Sequence, residues 1–362
     1  MKKKIFLLYL LTSSFSAIFS SEISARIIST EGYVEIQRDA NIIKSNIVSG
    51  LKIEEADLIR TGSDGYVELE ITSPVNTILL KINRGSALYF TENQTRTNNE
   101  VLLRVVFGEV EIKVDKVLLS DKANLLLKSA VLCTGDSEFS VVTAPERSLL
   151  VLCAEGSVHS RFVSGEVYNI GKGMALEMSR NRGVRSSDVG SENFLRYKND
   201  WLAERTTIFR IGAFSITKPI ITQYEEQAEK FNLIYDELVK YDQIFEKYKN
   251  GTRGFAESTV YEDRMKVNSV IFDMRSIFFQ YEELFYSIAE IKGFHDISPI
   301  RGTLTRNYNI ADFMNDFEKN YEIMVKKASR TRKIFAIYSE MDAGNFSTAI
   351  MEEAFSVNPL FN

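Results

Sequence analysis

The sequence predicts a multidomain α+β protein, in which an N-terminal all-β roll or solenoid is followed by an elongated antiparallel α-helical bundle. Short runs of alternating apolar and polar residues fill residues 26–180, which is the period of β-strands. After a polar segment at 181–191, apolar residues recur at an average spacing of 3.5, typical of helices that pack side by side. The 362 residues, 44% of them apolar, are enough for two domains with their own cores.

The first residues predict a secretory signal peptide, over residues 1–21. Three lysines at positions 2–4 precede an apolar stretch at 5–11, and small residues including Ser20 and Ser21 follow. An uncleaved membrane anchor is the alternative, but this stretch is shorter than the roughly 20 apolar residues that span a bilayer. We therefore expect an exported protein of the periplasm or cell envelope, with no transmembrane segment in the mature chain.

The β half, residues 26–180, consists of short strand-like runs separated by Gly, Asp, Asn and Ser clusters. The run from 66 to 71 alternates, whereas the run from 149 to 152 is apolar on both faces and predicts a strand covered on both sides. A Thr-Gly turn between two strands occurs twice, at Thr61 and at Thr134. Repetition of such a unit favours a roll or a solenoid.

An ordered set of motifs lies in this half: GYVEI at 32–36, DLIRTGSDG at 57–65, FGEV at 107–110, AEGSV at 154–158 and GKG at 171–173. In this order they resemble the FecR-like domain of bacterial cell-envelope proteins, over residues 26–180 only. The departure is Cys133 and Asp136, beside the second Thr-Gly step. The resemblance implies a non-catalytic, β-rich module. The family's regulators also have a cytoplasmic segment and a membrane span, which we do not find, so their signalling role is not carried over.

The helical half is predicted at residues 192–345, after a linker at 181–191. Gly and Pro residues at 250–254 and 293–302 mark breaks between the helical patterns. We expect helices at 192–209, 219–249, 258–292 and 308–342. Residues 346–362 are predicted to form a short capping helix and tail.

Aromatic side chains in the helical half predict a contact surface. Most of them follow the spacing of a helix–helix seam, but Phe272, Phe279 and Tyr286 lie off that stripe. A second packed surface is therefore needed. It could be provided by the β half, by a partner protein or by a second copy of the chain, and we take the three residues as the candidate partner surface.

The turn formed by Arg60, Thr61, Gly62, Ser63 and Asp64 is a candidate binding site in the β half. Its backbone amides could bind an anion or a sugar. The alternative is an ordinary turn, in which Ser63 and Asp64 satisfy nearby backbone groups.

Two cysteines, Cys133 and Cys153, could form a disulfide in an exported protein. A hairpin that turns at residues 144–147 would place Cys133 opposite residue 158, so a bond would require strands that stack as in a solenoid. Two buried thiols are the alternative.

No motif in the sequence predicts an enzyme. The two histidines, His159 and His295, lie in different halves and belong to no catalytic or metal-binding motif, so we expect no metal and no cofactor. A net charge of -5 does not indicate nucleic-acid binding. The sequence thus favours an exported, non-catalytic binding or scaffold protein that contacts an envelope protein or itself. The alternative is a ligand sensor, or a module that binds peptidoglycan or another cell-wall carbohydrate through the β half.

Overall fold

The structure is a computed structural model that describes residues 23–73, 76–94, 99–116, 123–127, 129–162, 164–179 and 182–342. It is a mixed α+β fold, with a large curled sheet first and helices second. The predicted signal peptide, at 1–21, and the predicted capping helix and tail, at 346–362, lie outside the described residues.

The β half forms one curled sheet, to which the described residues contribute 16 strands. They are β1 (Ser24–Glu31), β2 (Val34–Arg38), β3 (Asn41–Ile43), β4 (Lys52–Ile53), β5 (Leu58–Thr61), β6 (Tyr66–Thr72), β7 (Asn76–Ile82), β8 (Ala87–Gln94), β9 (Asn99–Phe107), β10 (Glu109–Lys116), β11 (Ala123–Leu126), β12 (Ala130–Thr143), β13 (Leu149–Phe162), β14 (Val167–Gly171), β15 (Met174–Ser179) and β16 (Gly183–Asp188).

The curl comes from the long strand β12, which takes part in both arms of the sheet. The strand order is β3-β2-β5-β8-β9-β11-β12-β10-β7-β6-β1-β4, and β13 pairs with β12 and carries β14 and β15. The first part of β12 pairs with β11, its second part pairs with β10, and bulges lie between Thr134 and Ser137 and between Glu138 and Phe139. Bulges bend a strand and increase its twist. Apolar side chains from both arms, such as Ile59 and Ile112, therefore meet in one core.

The predicted linker at 181–191 is largely a strand. Residues Gly183–Asp188 form β16, which pairs antiparallel with β15 along its whole length. Its side chains are mostly exposed, because β16 lies at the edge of the sheet. A polar composition is compatible with an edge strand, whose stability comes from backbone pairing on one side. The Gly/Ser composition therefore predicted a linker where the chain forms an edge strand.

The helical half contains four α-helices within the described residues: α1 (Phe194–Leu238), α2 (Asp242–Tyr248), α3 (Glu257–Ile297) and α4 (Ile310–Met341). Short 3-10 turns lie at Ser191–Asn193 and Val239–Tyr241, and a small hairpin of β17 (Thr303–Thr305) and β18 (Tyr308–Asn309) connects α3 to α4. Asn309 begins α4 with a reciprocal pair of bonds to Asp312, which satisfies two backbone amides at the helix start.

The predicted break between residues 209 and 219 is wrong. Helix α1 runs continuously for 45 residues and contains Pro219. A proline removes one backbone bond from a helix interior. The flanking side chains Thr217, Ile220 and Ile221 are all buried, so tertiary packing holds the helix through this point.

Aromatic contacts show how the long helices run. Phe209 of α1 contacts Phe294 of α3, and Phe231 stacks on Tyr281 at 4.1 Å between ring centres. Residue numbers rise along α1 as they fall along α3, so these two helices are antiparallel. The predicted α+β class is confirmed, with the sheet curled as a half-barrel. The solenoid and the bundle stay predictions.

Candidate functional site

The helices pack on the outer face of strands β2, β5, β8 and β9. Side chains alternate between the two faces of a strand. Ile36 of β2 points into the sheet core, whereas its neighbour Gln37 bonds to helical residues. Leu58 and Tyr89 likewise belong to the same buried cluster as the aromatic residues of α3. The two halves therefore share one buried cluster. We call the region where α3 and α4 contact the sheet the junction.

A buried ion pair lies in the junction. Arg332 of α4 donates from Nη1 to Oε1 of Glu282 of α3 at 2.5 Å, and the two side chains are 2% and 1% exposed. Strand β8 completes the site, since the Tyr89 hydroxyl donates to the other Glu282 oxygen at 3.1 Å. Arg332 Nε also donates to the Ala56 carbonyl at 3.3 Å. Both charges are thus compensated by hydrogen bonds from both halves, as a buried pair requires.

Gln37 connects this pair to the sheet surface. Its Oε1 accepts from the Tyr286 hydroxyl at 2.5 Å and from Arg332 Nη2 at 3.3 Å. Its Nε2 donates to Glu35 Oε1 at 3.0 Å, and the Tyr33 hydroxyl donates to Glu35 Oε2 at 2.7 Å. Tyr33 is 40% exposed, so a continuous chain of hydrogen bonds runs from solvent to the buried pair.

The phenols of the junction are held in their neutral form. Burial raises the pKa of Tyr286 and the pKa of Tyr89 well above the ordinary value for tyrosine. Burial also raises the pKa of Tyr321 to about 12, although the charge of Arg60 acts in the opposite direction. Neutral phenols remain hydrogen-bond donors. The arrangement therefore fixes the sheet to the helices.

The predicted binding turn is bonded within the sheet. The Thr61 hydroxyl donates to the Asn83 carbonyl at 2.6 Å, and the Gly62 amide donates to the Tyr33 carbonyl at 2.8 Å. Asp64 Oδ1 accepts from the Tyr33 amide at 3.3 Å, while Ser63 is exposed. Ligand binding at this turn stays a prediction.

The Arg60 side chain extends away from the rest of the turn and toward the helices. Its Nη1 lies 3.5 Å from Glu35 Oε1, and its guanidinium carbon lies 5.7 Å from the ring centre of Tyr321 in α4. Arg60 therefore belongs to the junction, and the structure does not bring it together with Ser63 and Asp64 as one binding group.

Two of the three candidate partner residues are also in the junction. The guanidinium carbon of Arg104 lies 4.6 Å from the ring centre of Phe279, and Tyr286 is fully buried beside Phe107. The β half thus covers Phe279 and Tyr286, which corrects their assignment to a partner surface. Phe272 remains 48% exposed.

Phe272 belongs to an exposed apolar face of α3. Tyr261 is 56% exposed and Met265 is 49% exposed, and we call these three residues the α3 stripe. The spacings of four and seven residues place them on one side of the helix. Phe279 and Tyr286 continue the same side at further steps of seven, where the sheet covers it. Sequence reasoning missed Tyr261 and Met265, because only the position of the sheet shows where this face emerges.

The two cysteines are not joined to each other. Cys133 lies opposite His159 and Cys153 lies opposite Phe139, on neighbouring strands β12 and β13. Both are thiols, which corrects the proposed disulfide, since the strands pair side by side and leave the two cysteines out of register. Burial raises the pKa of Cys153 to about 11, and the charge of Glu155 adds to this effect.

His159 lies on β13, and His295 lies near the end of α3. His295 Nδ1 accepts from the Ile300 amide at 3.1 Å, and burial lowers its pKa. Among the helices described, none combines the length and apolarity required to cross a bilayer. The described residues also contain no group of His, Cys, Asp or Glu side chains arranged to hold a metal ion.

Comparisons with known proteins give no family. No family model matches the sequence, and no curated protein matches it. One solved structure, a proposed anti-sigma factor from Parabacteroides distasonis, matches with 14% identity and a TM-score of 0.33, over 39% of this chain and 63% of that chain. A second structure with the same description matches with 13% identity and a TM-score of 0.32, over 38% and 62%. This chain thus spans less than two thirds of each, and no conclusion rests on these likenesses. The FecR-like resemblance stays a prediction.

Proposed function

We propose that this protein is an exported, non-catalytic binding or scaffold protein of the cell envelope, which acts through protein–protein contacts of its helical half. The amino-terminal pattern of lysines, apolar residues and small residues supports export. The α3 stripe is the observation that carries the binding role.

The α3 stripe has the properties of a contact surface. It continues a face that is already an interface, since the sheet covers the same side of α3 from Phe279 onward. Covering three half-exposed side chains would remove roughly 300 Å² of apolar surface from water, or about 7 kcal/mol before the costs of association. Association costs a similar amount, so the stripe would act as the apolar centre of a larger interface.

The spacing of the stripe indicates the kind of partner. Apolar residues at steps of four and seven along one helix fit the apolar face of a second helix. Guanidinium groups border the stripe, because Arg264 lies over the Tyr261 ring and Arg275 lies over the Phe272 ring. The proposed partner is therefore an envelope protein that presents an amphipathic helix.

Co-purification of the tagged full chain from solubilised envelopes tests this proposal. The variant carrying Met265→Glu and Phe272→Asp should lose the partner. The control Leu233→Asp changes a side chain that is 65% exposed on α1, and should retain the partner. A synthetic helical segment of that partner should then bind the parent chain and not the double variant. Equal recovery with parent and double variant would refute the stripe as the binding surface.

A second candidate function is cell-wall binding through the β half. Tyr33 favours it, because its ring is 40% exposed, its hydroxyl bonds to Glu35 and it adjoins the turn at Gly62. An exposed ring beside polar groups is a common contact for a sugar. Retention of the full chain on purified peptidoglycan should fall with Tyr33→Ala and not with Val48→Ala. Unchanged retention with Tyr33→Ala would exclude this site.

A further inference from the structure

A row of polar side chains runs from solvent to the junction along β2 and the residue before it. Tyr33, Glu35 and Gln37 alternate along the chain, so they lie on the same side of the strand. Exposure falls along this row, from 40% at Tyr33 to 2% at Glu35 and 0% at Gln37. The surface residue is thus connected to the buried ones through Glu35.

Both oxygens of the Glu35 carboxylate accept hydrogen bonds. Oε2 accepts from the Tyr33 hydroxyl at 2.7 Å, and Oε1 accepts from Gln37 Nε2 at 3.0 Å. Burial raises the pKa of Tyr33, and the bond to Glu35 adds to this effect, so the phenol keeps its proton and remains a donor. A buried carboxylate that loses one donor requires another, because an unsatisfied buried charge is unfavourable.

Arg60 is a donor that is placed to compensate Glu35. Its Nη1 lies 3.5 Å from Glu35 Oε1, whereas charged N–H···O bonds are typically about 2.7–2.9 Å long. Its Nε is buried and has no hydrogen-bond partner among the described residues. The guanidinium carbon also lies 5.7 Å from the ring centre of Tyr321 in α4. A shorter bond from Arg60 to Glu35 would therefore change the contact of Arg60 with α4.

Gln37 connects Glu35 to both helices. Its Nε2 is held by Glu35, while its Oε1 accepts from Tyr286 of α3 and from Arg332 of α4. A displaced Glu35 carboxylate would release the amide that positions these two bonds. The helices are thus linked to Glu35 by two routes, through this amide and through the guanidinium of Arg60.

We propose that Glu35 couples the exposed surface at Tyr33 to the packing of α3 and α4 on the sheet. A hydroxyl has one proton to donate, so the Tyr33 hydroxyl bonds either to Glu35 or to a ligand. In the ligand-bound state Arg60 moves toward Glu35, and the contacts of the helices with the sheet weaken. The inference rests on the second candidate function, sugar binding at Tyr33, and names its regulation: the helical half responds to the ligand. Coupling is reciprocal, so weaker packing in turn favours the ligand.

Hydrogen–deuterium exchange of the full chain tests this coupling. Tyr33→Phe retains the ring and removes the hydroxyl, which reproduces the loss of the bond to Glu35. Backbone amides near Tyr286 in α3 and near Tyr321 in α4 should exchange roughly threefold faster or more, because weaker packing opens these helices locally. Amides of β6 should exchange as they do in the parent chain.

Tyr66→Phe is the matched control. It removes a phenol hydroxyl from β6, where the ring lies beside Lys81, and should leave exchange in both helices unchanged. Three results would overturn the proposal: unchanged exchange in α3 and α4 with Tyr33→Phe, the same increase with Tyr66→Phe, or an equal increase throughout the chain. The last result would show a general loss of stability and no specific coupling to the helices.

A ligand separates this inference from the function on which it rests. Soluble peptidoglycan fragments, added to the parent chain, should accelerate exchange of the same amides as Tyr33→Phe does. If the chain is not retained on peptidoglycan but Tyr33→Phe accelerates exchange in the helices, cell-wall binding is rejected and the coupling stands. If retention depends on Tyr33 but the fragments leave exchange in the helices unchanged, the coupling is rejected and cell-wall binding stands.

Discussion

Arg332 and Glu282 form an ion pair in which both side chains are buried, at 2.5 Å between Nη1 and Oε1, where α3 and α4 meet the sheet. Hydrogen bonds from Tyr89 and Gln37 connect it to strands β8 and β2. The pair is thus shared by the two halves of the chain, and disruption of it should destabilise both.

Replacement of one member of the ion pair should lower the free energy of unfolding. Arg332→Met leaves the Glu282 carboxylate buried without its cation, and should lower the free energy of unfolding by about 3–5 kcal/mol. Glu282→Gln should have a similar effect. The double variant should lose less than the sum of the two, because no uncompensated charge remains. Urea unfolding of the three variants measures this, and additive losses would contradict a coupled pair.

Gly108 should tolerate no side chain. Its φ is +96°, and a Cβ built there would lie 2.2 Å from Ser86 Oγ and 2.5 Å from Ser86 Cα. Gly85 has a φ of +63° with nothing within 4 Å of a Cβ, so Gly85→Ala should cost only the backbone strain of about 1–2 kcal/mol. We expect Gly108→Ala to lose at least 2 kcal/mol more in urea unfolding. Equal losses would show that the close approach to Ser86 is not a constraint.

Asp263 should make stability depend on pH in the acid range. Lys247 and Lys266 each donate to its carboxylate at 2.7 Å. These two hydrogen bonds lower the pKa of Asp263 from 3.8 to about 2, and the bond from Lys247 has the larger effect. A carboxylate with a lowered folded pKa stabilises the protein above its unfolded pKa, and this contribution is lost as pH falls from about 4 to about 2.

The variant Asp263→Asn removes that titration. After allowance for solvent screening, the parent chain should lose about 1 kcal/mol more than this variant between pH 5 and pH 2. Unfolding free energies at several pH values measure the difference. The same pH dependence in both proteins would contradict the lowered pKa.

Neighbouring aromatic residues of α3 should differ in their effect on stability. Phe272→Ala removes a side chain that is half exposed and should cost about 1 kcal/mol or less. Phe279→Ala removes the ring under Arg104 in the junction and should cost about 2–3 kcal/mol. Thermal unfolding compares them. A larger loss at Phe272 would place that residue in the core and remove it from the contact surface.

Much of the secondary structure follows from local patterns, and the exceptions have local causes. The seam residues Phe278, Tyr281 and Phe285 are fully buried, as their spacing predicts. Pro219 misled the prediction because buried neighbours hold the helix through it. The polar residues 183–188 predicted a linker, but they form a strand, because an edge strand can be polar.

The junction could not be predicted from the sequence. Glu35 and Gln37 alternate with apolar Ile36, which is the pattern of a strand with one solvated face. In the fold, α3 and α4 cover that face, so these polar residues are buried. Periodicity shows that a strand has two faces, but the packing partner of the second face depends on contacts distant in sequence, such as Gln37 with Tyr286.

Photo-crosslinking from position 272 in intact cells tests the central claim, that the α3 stripe is a contact surface, most directly. A photoreactive residue at 272 should join the chain to an amphipathic helical segment of one envelope protein. The same residue at position 233, on the exposed side of α1, should not give this product. Met265→Glu should abolish the product at 272. No product at 272, or identical products at 272 and 233, would contradict the claim.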